Sequence, residues 1–419
     1  MSASGRGVQA AALVSFAGLV VSFVAACAGR EGASGALQSA APSLAHEAGI
    51  PAPYRETYFA LSAELERFQR NLQSQWNGEK HPVTFGANLL AANAHRGEAL
   101  LSPKTYQGVL LYLDRLEGLG IQGVTVSIGY PVLSASLPRA AEYWGFYEKL
   151  AQEVHRRGLK LHIERGVLFN LKTFTDLEFD YKGMSLEKYR ATKIEDMQAI
   201  LDRLHPDYLS IGNEPSVESR LTGLALTVES YTKLVREVVA ALRPSGTLIG
   251  AGTGTWDDPA YVLRLARETD LDYIDLHLYP IVGENLQRTV ELADLARAHG
   301  KKVIIGEAWL YKASGAEAAG GLDWQSVMAR DVFSFWQPLD QAFLRALATL
   351  AHAKQIDYVS PFWSKYFFSY VDYSQKLARL PPKKLLRAAD EAGVEAIVAG
   401  DYSATGRAYQ RLTQEQLGK

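Results

Sequence analysis

From residue 82 onward, short apolar runs alternate with amphipathic stretches. The runs are nearly continuous in apolar residues, which is typical of parallel strands buried on both faces. The stretches between them repeat apolar positions every three or four residues, which predicts helices. The pattern predicts eight strands, at Val83–Ala87, Val124–Ile128, Lys160–Glu164, Tyr208–Gly212, Thr247–Ala251, Tyr273–Leu278, Val303–Gly306 and Tyr358–Phe362.

Eight strand–helix units predict an α/β protein with a closed (β/α)₈ barrel, or TIM barrel, as a single domain over residues 82–419. A doubly wound open sheet is the alternative. It usually has fewer strands, and no glycine-rich turn of the dinucleotide-binding type follows the first predicted strand. Residues 56–81 are helix-like in their apolar spacing, and we expect them to form an N-terminal helical extension.

The N-terminus combines Arg6 with an apolar stretch from Ala10 to Ala26, followed by Cys27. Such a segment is typical of a secretory signal, and it resembles the signal of bacterial lipoproteins, in which the cysteine carries the lipid. The resemblance implies a signal peptide at residues 1–26 and lipidation of Cys27, with Ala28 favouring the outer membrane. An uncleaved anchor or an ordinary secretory signal is the alternative. Residues 27–55 are rich in Ala, Ser, Gly and Pro and are predicted to be a flexible tether.

Charge and cysteine content narrow the classes of partner. The 419 residues carry 44 Lys and Arg against 46 Asp and Glu, a formal net charge of −2. No basic excess points to nucleic acid, so a neutral or small substrate is favoured. Cys27 is the only cysteine in the sequence, which excludes a disulfide within the chain, and the stability of the domain must come from its core.

Polar and aromatic residues mark the C-terminal ends of the predicted strands, where the chemistry of such barrels takes place. They are Asn88 after the first strand, Asn213 and Glu214 after the fourth, His277 and Tyr279 at the sixth, Glu307 and Trp309 after the seventh, and Trp363 at the eighth. The fourth and seventh strands lie on opposite sides of a barrel mouth. Glu214 and Glu307 can therefore face each other across a sugar, and retaining glycoside hydrolysis requires two carboxyl groups about 5–5.5 Å apart.

The sequence Asn213-Glu214-Pro215 after the fourth strand, together with Glu307 after the seventh, resembles the (β/α)₈ retaining glycosidases of clan A. The resemblance implies that Glu214 is the acid/base and Glu307 the nucleophile. It also implies substrate binding by Asn213.

The same resemblance assigns roles to neighbouring positions. It makes Tyr279 the residue that orients the nucleophile, His277 the common histidine of the sixth strand, and Trp363 the floor of the −1 subsite. Trp309 and Asn88 are further substrate-binding candidates because of their positions at strand ends. Arg165, after the third strand, is the candidate for the arginine that the clan places near its nucleophile.

These residues predict double displacement at an O-glycosidic bond, β-linked by the resemblance, in an oligosaccharide, polysaccharide or glycoconjugate. The mechanism requires neither a cofactor nor a metal. Two alternatives remain open. A metal-dependent TIM-barrel sugar isomerase would use ligands such as Glu164, Asp275, His277 and Glu307. A non-catalytic surface lipoprotein would use the same aromatic cleft to bind glycans.

Overall fold

The structure is a computed structural model that describes residues 49–170, 175–243, 245–280, 283–321 and 323–416. The predicted signal peptide, Cys27 and most of the predicted tether lie outside the described residues. Within the described residues, no helix combines the length and the apolar character needed to cross a membrane.

Eight parallel strands close into one barrel in sequence order, with β1 paired to β8. The prediction of a (β/α)₈ barrel is confirmed. The strands are β1 Thr84–Asn88, β2 Gly123–Ser127, β3 Lys160–Glu164, β4 Tyr208–Ser210, β5 Leu248–Gly254, β6 Tyr273–Leu278, β7 Lys302–Ala308 and β8 Tyr358–Pro361.

Helices surround the barrel, and the strands between them are buried on both faces because the helices cover the outside. The helices are α1 Arg55–Gln75, α2 Pro103–Glu117, α3 Ala140–Arg156, α4 Leu186–Leu204, α5 Pro215–Thr222, α6 Val228–Ala241, α7 Ala260–Glu268, α8 Gly283–Ala298, α9 Gly315–Gly320, α10 Trp324–Arg330, α11 Gln337–Ala353, α12 Gln375–Ala378, α13 Pro382–Ala399 and α14 Ala404–Gln416.

The barrel interior changes from aromatic to polar towards the C-terminal ends of the strands. The rings of Tyr208, Tyr273 and Tyr358 pack together in one layer. Above them His162 is fully buried between Thr125 Oγ1, 3.1 Å away, and Ser210 Oγ, 2.9 Å away. This polar layer satisfies its own hydrogen bonds and supports the mouth, where the carboxylates lie.

The segment before the barrel is packed against it rather than extended. Tyr54 stacks on Phe335, with ring centroids 5.4 Å apart, and contacts Trp336. Ile50 is buried, and its carbonyl accepts a hydrogen bond from Arg55 Nε at 3.0 Å. The predicted flexible tether therefore does not reach residue 55, because its last residues bury aromatic and aliphatic surface on the helical layer.

Candidate active site

Glu214 is positioned by the turn from β4 into α5. β4 ends at Ser210, and Glu214 is the N-cap residue of α5 with Pro215 in the first turn, where its missing N–H is no loss. The Glu214 side chain does not cap the helix. Its Oε1 lies 2.8 Å from His277 Nδ1 instead, which turns the carboxylate inward over the barrel mouth.

Glu307 is positioned by an irregularity in β7. The strand runs through Ala308, so Glu307 lies within it and not after it as predicted. The pairing of β7 with β6 shifts by one residue between Asp275 and His277, and the pairing of β7 with β8 shifts in the same region. β7 therefore contains one residue more than each neighbouring strand at this point. Bulges of this kind re-aim side chains near active sites. Here the bulge lets Gly306 approach the barrel interior while Glu307 faces the mouth.

Gly306 is required at this bulge by close approach. A Cβ built there would lie 2.7 Å from both Asp275 Oδ1 and Glu164 Oε1, inside van der Waals contact. The Gly306 N–H donates to Asp275 Oδ1 at 2.9 Å, and Asp275 Oδ2 accepts from Ser210 Oγ at 2.6 Å. The bulge is thus tied to the polar layer beneath it.

His277 joins the carboxylates at the mouth. Its Nδ1 lies 2.8 Å from Glu214 Oε1 and 3.5 Å from Glu307 Oε2, while its Nε2 lies 3.3 Å from Glu164 Oε1. Asn213 Nδ2 is 2.8 Å from the same Nε2. Burial works against a charged imidazole. Even so, the negative charges of Glu307, Glu164 and Glu214 raise the pKa of His277 well above its usual value.

The carboxyl groups around His277 differ in the direction of their pKa shifts. Burial raises the pKa of Glu307 well above its usual range. The positive charge of His277 opposes this rise, whereas the negative charges of Glu164 and Glu214 add to it. Burial acts the same way on Glu164, but its hydrogen bond and ion pair with His277 lower its pKa to about 2. Tyr279 donates a hydrogen bond of 2.6 Å to Glu307 Oε2, and such bonds favour the carboxylate.

Glu164, Glu214, His277 and Glu307 line a cavity of about 100 Å³ at the C-terminal mouth of the barrel. Trp363 and Phe362 supply aromatic side chains to the lining of the same cavity. Asn213 is held by the hydrogen bond from its Nδ2 to Asp275 Oδ2 at 2.9 Å, and its buried Oδ1 has no hydrogen-bond partner among the described residues. That oxygen is an acceptor for a donor group on a ligand.

Sequence analysis did not name several side chains that line the cavity, among them Asn93, His95, Phe169 and Glu218. The first two belong to the loop after β1, Phe169 follows β3, and Glu218 lies one turn beyond Glu214 on α5. Strand patterning does not place loop residues, although the four-residue spacing from Glu214 is a signal that could have found Glu218.

Glu218 adds a further buried carboxyl to the cavity. Tyr189 OH donates to its Oε2, and Lys193 Nζ lies 3.7 Å from the same oxygen. Its Oε1 is buried and has no hydrogen-bond partner within the part of the chain that the structure describes. Burial is the main cause of its raised pKa. His95 on the opposite side stays neutral, because burial lowers its pKa to about 3 and its Nε2 accepts from the Phe169 N–H at 3.0 Å.

Three predicted site residues lie away from the cavity. Asn88 is buried in the barrel wall, where its amide donates to Gly306 O at 3.3 Å. Trp309 is fully buried. Its Nε1 donates to Asp331 Oδ2 at 3.0 Å, and its ring stacks on Tyr366. Arg165 pairs with Asp196 and donates to Ile128 O at 2.8 Å, so it does not contact Glu307. Tyr279 reaches the site through Glu307.

Two groups of side chains could hold a metal ion. One comprises His162, Glu164 and Asp275, and the other Glu164, His277 and Glu307, with donor atoms in each group within 4.8 Å of one another. Glu164 belongs to both, and its Oε2 already accepts from Ser127 Oγ at 2.7 Å. Asp275 is likewise engaged by protein donors on both oxygens. The hydrogen bonds that hold these groups leave few lone pairs for an ion.

No protein-family model and no curated protein matches the chain. Among solved structures, a double mutant of endo-β-1,4-mannanase from Cellulomonas fimi is 14% identical over 73% of this chain and 70% of its own, with a TM-score of 0.44. A β-mannanase from Bacteroides ovatus is 13% identical over 77% of this chain and 92% of its own, with a TM-score of 0.43. A β-glucosidase from Exiguobacterium antarcticum is 11% identical over 68% and 89%, with a TM-score of 0.45. Similarity at this level identifies no activity.

Proposed function

We propose that the protein is a retaining glycoside hydrolase that cleaves β-linked O-glycosidic bonds. The observation that carries the proposal is the pair of carboxylates from opposite sides of the barrel, Glu214 after β4 and Glu307 in β7, both beside His277 Nδ1 in one cavity. A glycan-binding protein has no need of such a pair.

The spacing of this pair favours retention of configuration. Because Glu214 Oε1 and Glu307 Oε2 lie 2.8 Å and 3.5 Å from the same nitrogen, these two oxygens are close together. The two distances limit the separation of these oxygens to at most 6.3 Å, which is closer to the about 5–5.5 Å between the carboxyl groups of retaining enzymes than to most of the about 6.5–9.5 Å range of inverting enzymes. Direct attack by one carboxylate is therefore the route that fits.

In the proposed mechanism, ionised Glu307 attacks the anomeric carbon and Glu214 protonates the departing oxygen. A glycosyl-enzyme ester forms on Glu307. Glu214, now a carboxylate, then removes a proton from water, which displaces Glu307 and regenerates both groups. Tyr279 fixes the attacking carboxylate by its 2.6 Å hydrogen bond. Asn213 Oδ1 can accept from a sugar hydroxyl, and Trp363 offers an apolar face to the ring.

The first test is turnover of a panel of aryl β-glycosides by the wild type and two variants. Glu307→Ala should abolish turnover. Glu214→Ala should slow poor leaving groups by about 10²–10⁴-fold and largely spare activated ones, which need no acid. NMR of the first product should show the anomeric configuration of the substrate. The matched control is Glu187→Ala, at an exposed carboxylate in the first turn of α4, which should behave as wild type.

Each alternative predicts a different result from the same measurements. Wild-type activity in Glu307→Ala, or an inverted product, would overturn the proposal. Loss of activity after prolonged dialysis against a chelator, with recovery on adding metal back, would support the isomerase alternative instead. A mechanism-based glycosidase inhibitor that labels Glu307 covalently excludes a protein that only binds glycans.

We further propose that the protein is exported and anchored to a bacterial membrane through lipid on Cys27, in the outer membrane or at the cell surface. The support is the apolar segment that ends at the only cysteine of the sequence. Expressed with labelled palmitate, the full chain should take up label and fractionate with membranes. Cys27→Ser should do neither. Equal labelling of both proteins would contradict the anchor.

A further inference from the structure

A second, smaller cavity lies between the loops that follow β1 and β8. Its volume is about 20 Å³, and Arg96, Tyr112, Lys365 and Asp390 are among the residues that line it. Trp363 lines both this cavity and the catalytic one, so the two share a wall. None of the charged residues here takes part in the proposed mechanism.

Arg96 is a buried cation with an unsatisfied hydrogen-bond donor. The residue is only 7% exposed. Its Nε has no hydrogen-bond partner among the residues that the structure describes. Burial lowers the pKa of Arg96 to about 10, which still leaves the guanidinium charged at neutral pH. Asp390 attracts the guanidinium, but the buried Nε–H is left without an acceptor, and an unsatisfied buried donor of this kind favours a ligand that accepts a hydrogen bond from it.

The nearby carboxylate is already engaged. Asp390 Oδ1 accepts from Lys365 Nζ at 2.9 Å, and both side chains are buried. Tyr112 OH is likewise engaged, with Ser364 Oγ 2.7 Å away. Arg96 and Lys365 bring two positive charges to the lining and Asp390 brings one negative charge, so one positive charge remains to be neutralised.

We propose that this cavity binds one monovalent anion of chloride size, held by Arg96 and Lys365. The volume decides the size of the ligand, because a cavity needs about 10–15 Å³ to hold a single water. At about 20 Å³ the site admits a monoatomic ion and excludes a phosphate or the carboxylate of a sugar. The charge of the lining decides the sign and the valence.

Such an anion would join two segments that border the catalytic cavity. Arg96 lies in the 3₁₀ turn Ala94–Leu101, directly after His95 of the catalytic cavity. Lys365 lies in the turn Ser364–Phe367, directly after Trp363, and its Nζ is 5.3 Å from the centre of the Trp363 ring. The bound ion therefore stabilises the loops after β1 and β8 against each other.

The test uses the full chain in gluconate buffer, into which chloride is exchanged at constant ionic strength. Because the ion binds the folded protein, the melting temperature should rise with chloride concentration and follow a single-site curve. Crystals grown with bromide should show an anomalous peak beside the Arg96 guanidinium. Neither readout depends on glycosidase activity, so this proposal and the proposed function can fail separately.

Variants fix the origin of the effect. Arg96→Met should lose the chloride dependence, because it removes one of the two cations that hold the ion. The control Arg387→Met, exposed on α13, should keep the wild-type response. If Arg96→Met does not fold, Asp390→Asn serves instead: it leaves two positive charges in the lining and should shift the response to lower chloride. A wild type that melts at the same temperature in chloride and gluconate, or no bromide peak, means a water-filled cavity and overturns the proposal.

Discussion

At the scale of single residues, His277 governs the acid–base behaviour of the catalytic cavity. Its two nitrogens lie 2.8 Å from Glu214, 3.3 Å from Glu164 and 3.5 Å from Glu307. When His277 is charged, its Nε2–H can donate to Glu164. When His277 is neutral, its Nε2 can accept from Asn213 Nδ2 at 2.8 Å. The imidazolium stabilises Glu307 as a carboxylate, which is the form that attacks in the proposed mechanism.

The pH profile tests this role. Burial and neighbouring carboxylates raise the pKa of Glu307, and the charge of His277 opposes the rise. Activity should therefore increase with pH as Glu307 loses its proton. His277→Asn removes the opposing charge, so the acidic limb of kcat/KM on an activated aryl glycoside should move to higher pH. His299→Asn, on an exposed histidine, is the control. A limb that stays in place or moves to lower pH would contradict the role of His277.

At the scale of elements, the bulge in β7 sets the geometry of the site. Without the extra residue, the alternation along the strand would place Gly306 and Glu307 on opposite faces. Because of the two register shifts around Gly306, the backbone of Gly306 and the side chain of Glu307 can both face the barrel interior. The hydrogen bond from the Gly306 N–H to Asp275 Oδ1 fixes the bulge to the polar layer.

Gly306→Ala should disturb this element. The added methyl would lie within 3 Å of Asp275 and Glu164, which are both buried and held by hydrogen bonds. Overpacking of this kind costs about 1–3 kcal/mol of stability, and we expect a lower melting temperature together with reduced turnover. Gly145→Ala on α3, where nothing lies within 4 Å of the new Cβ, should be neutral or stabilising. Equal stability and activity in Gly306→Ala and wild type would mean that the bulge tolerates a side chain.

The same element explains where sequence analysis succeeded and where it failed. Apolar continuity located all eight strands, and β3 and β6 have the predicted bounds. Strand ends then placed Glu214, His277 and Glu307 at one mouth. Periodicity carries no information about a bulge or about the direction of a side chain beyond the strand. Trp309, one residue past β7, therefore packs into the core against Tyr366 and not into the cavity.

At the scale of the whole molecule, closure of the barrel creates the site. β4 and β7 are not neighbours in the sheet, so only a closed ring can bring Glu214 and Glu307 to one imidazole from opposite sides. The chain before β1 belongs to the same body. α1 packs along α11, and Gln69 Nε2 donates to Thr349 Oγ1 at 2.8 Å.

The length of the tether follows from this packing and can be measured. A chain that begins at residue 49 keeps Ile50 and Tyr54, which bury apolar surface against the helical layer. A chain that begins at residue 56 lacks both residues. Full burial of one large apolar side chain contributes about 1.5–3 kcal/mol to the free energy of unfolding. We expect the shorter chain to unfold at a lower denaturant concentration. If residues 49–55 were part of a flexible tether, the two chains would have the same unfolding midpoint. Tyr54→Ala in the longer chain should reproduce part of the loss, because Tyr54 supplies the aromatic contacts with Phe335 and Trp336.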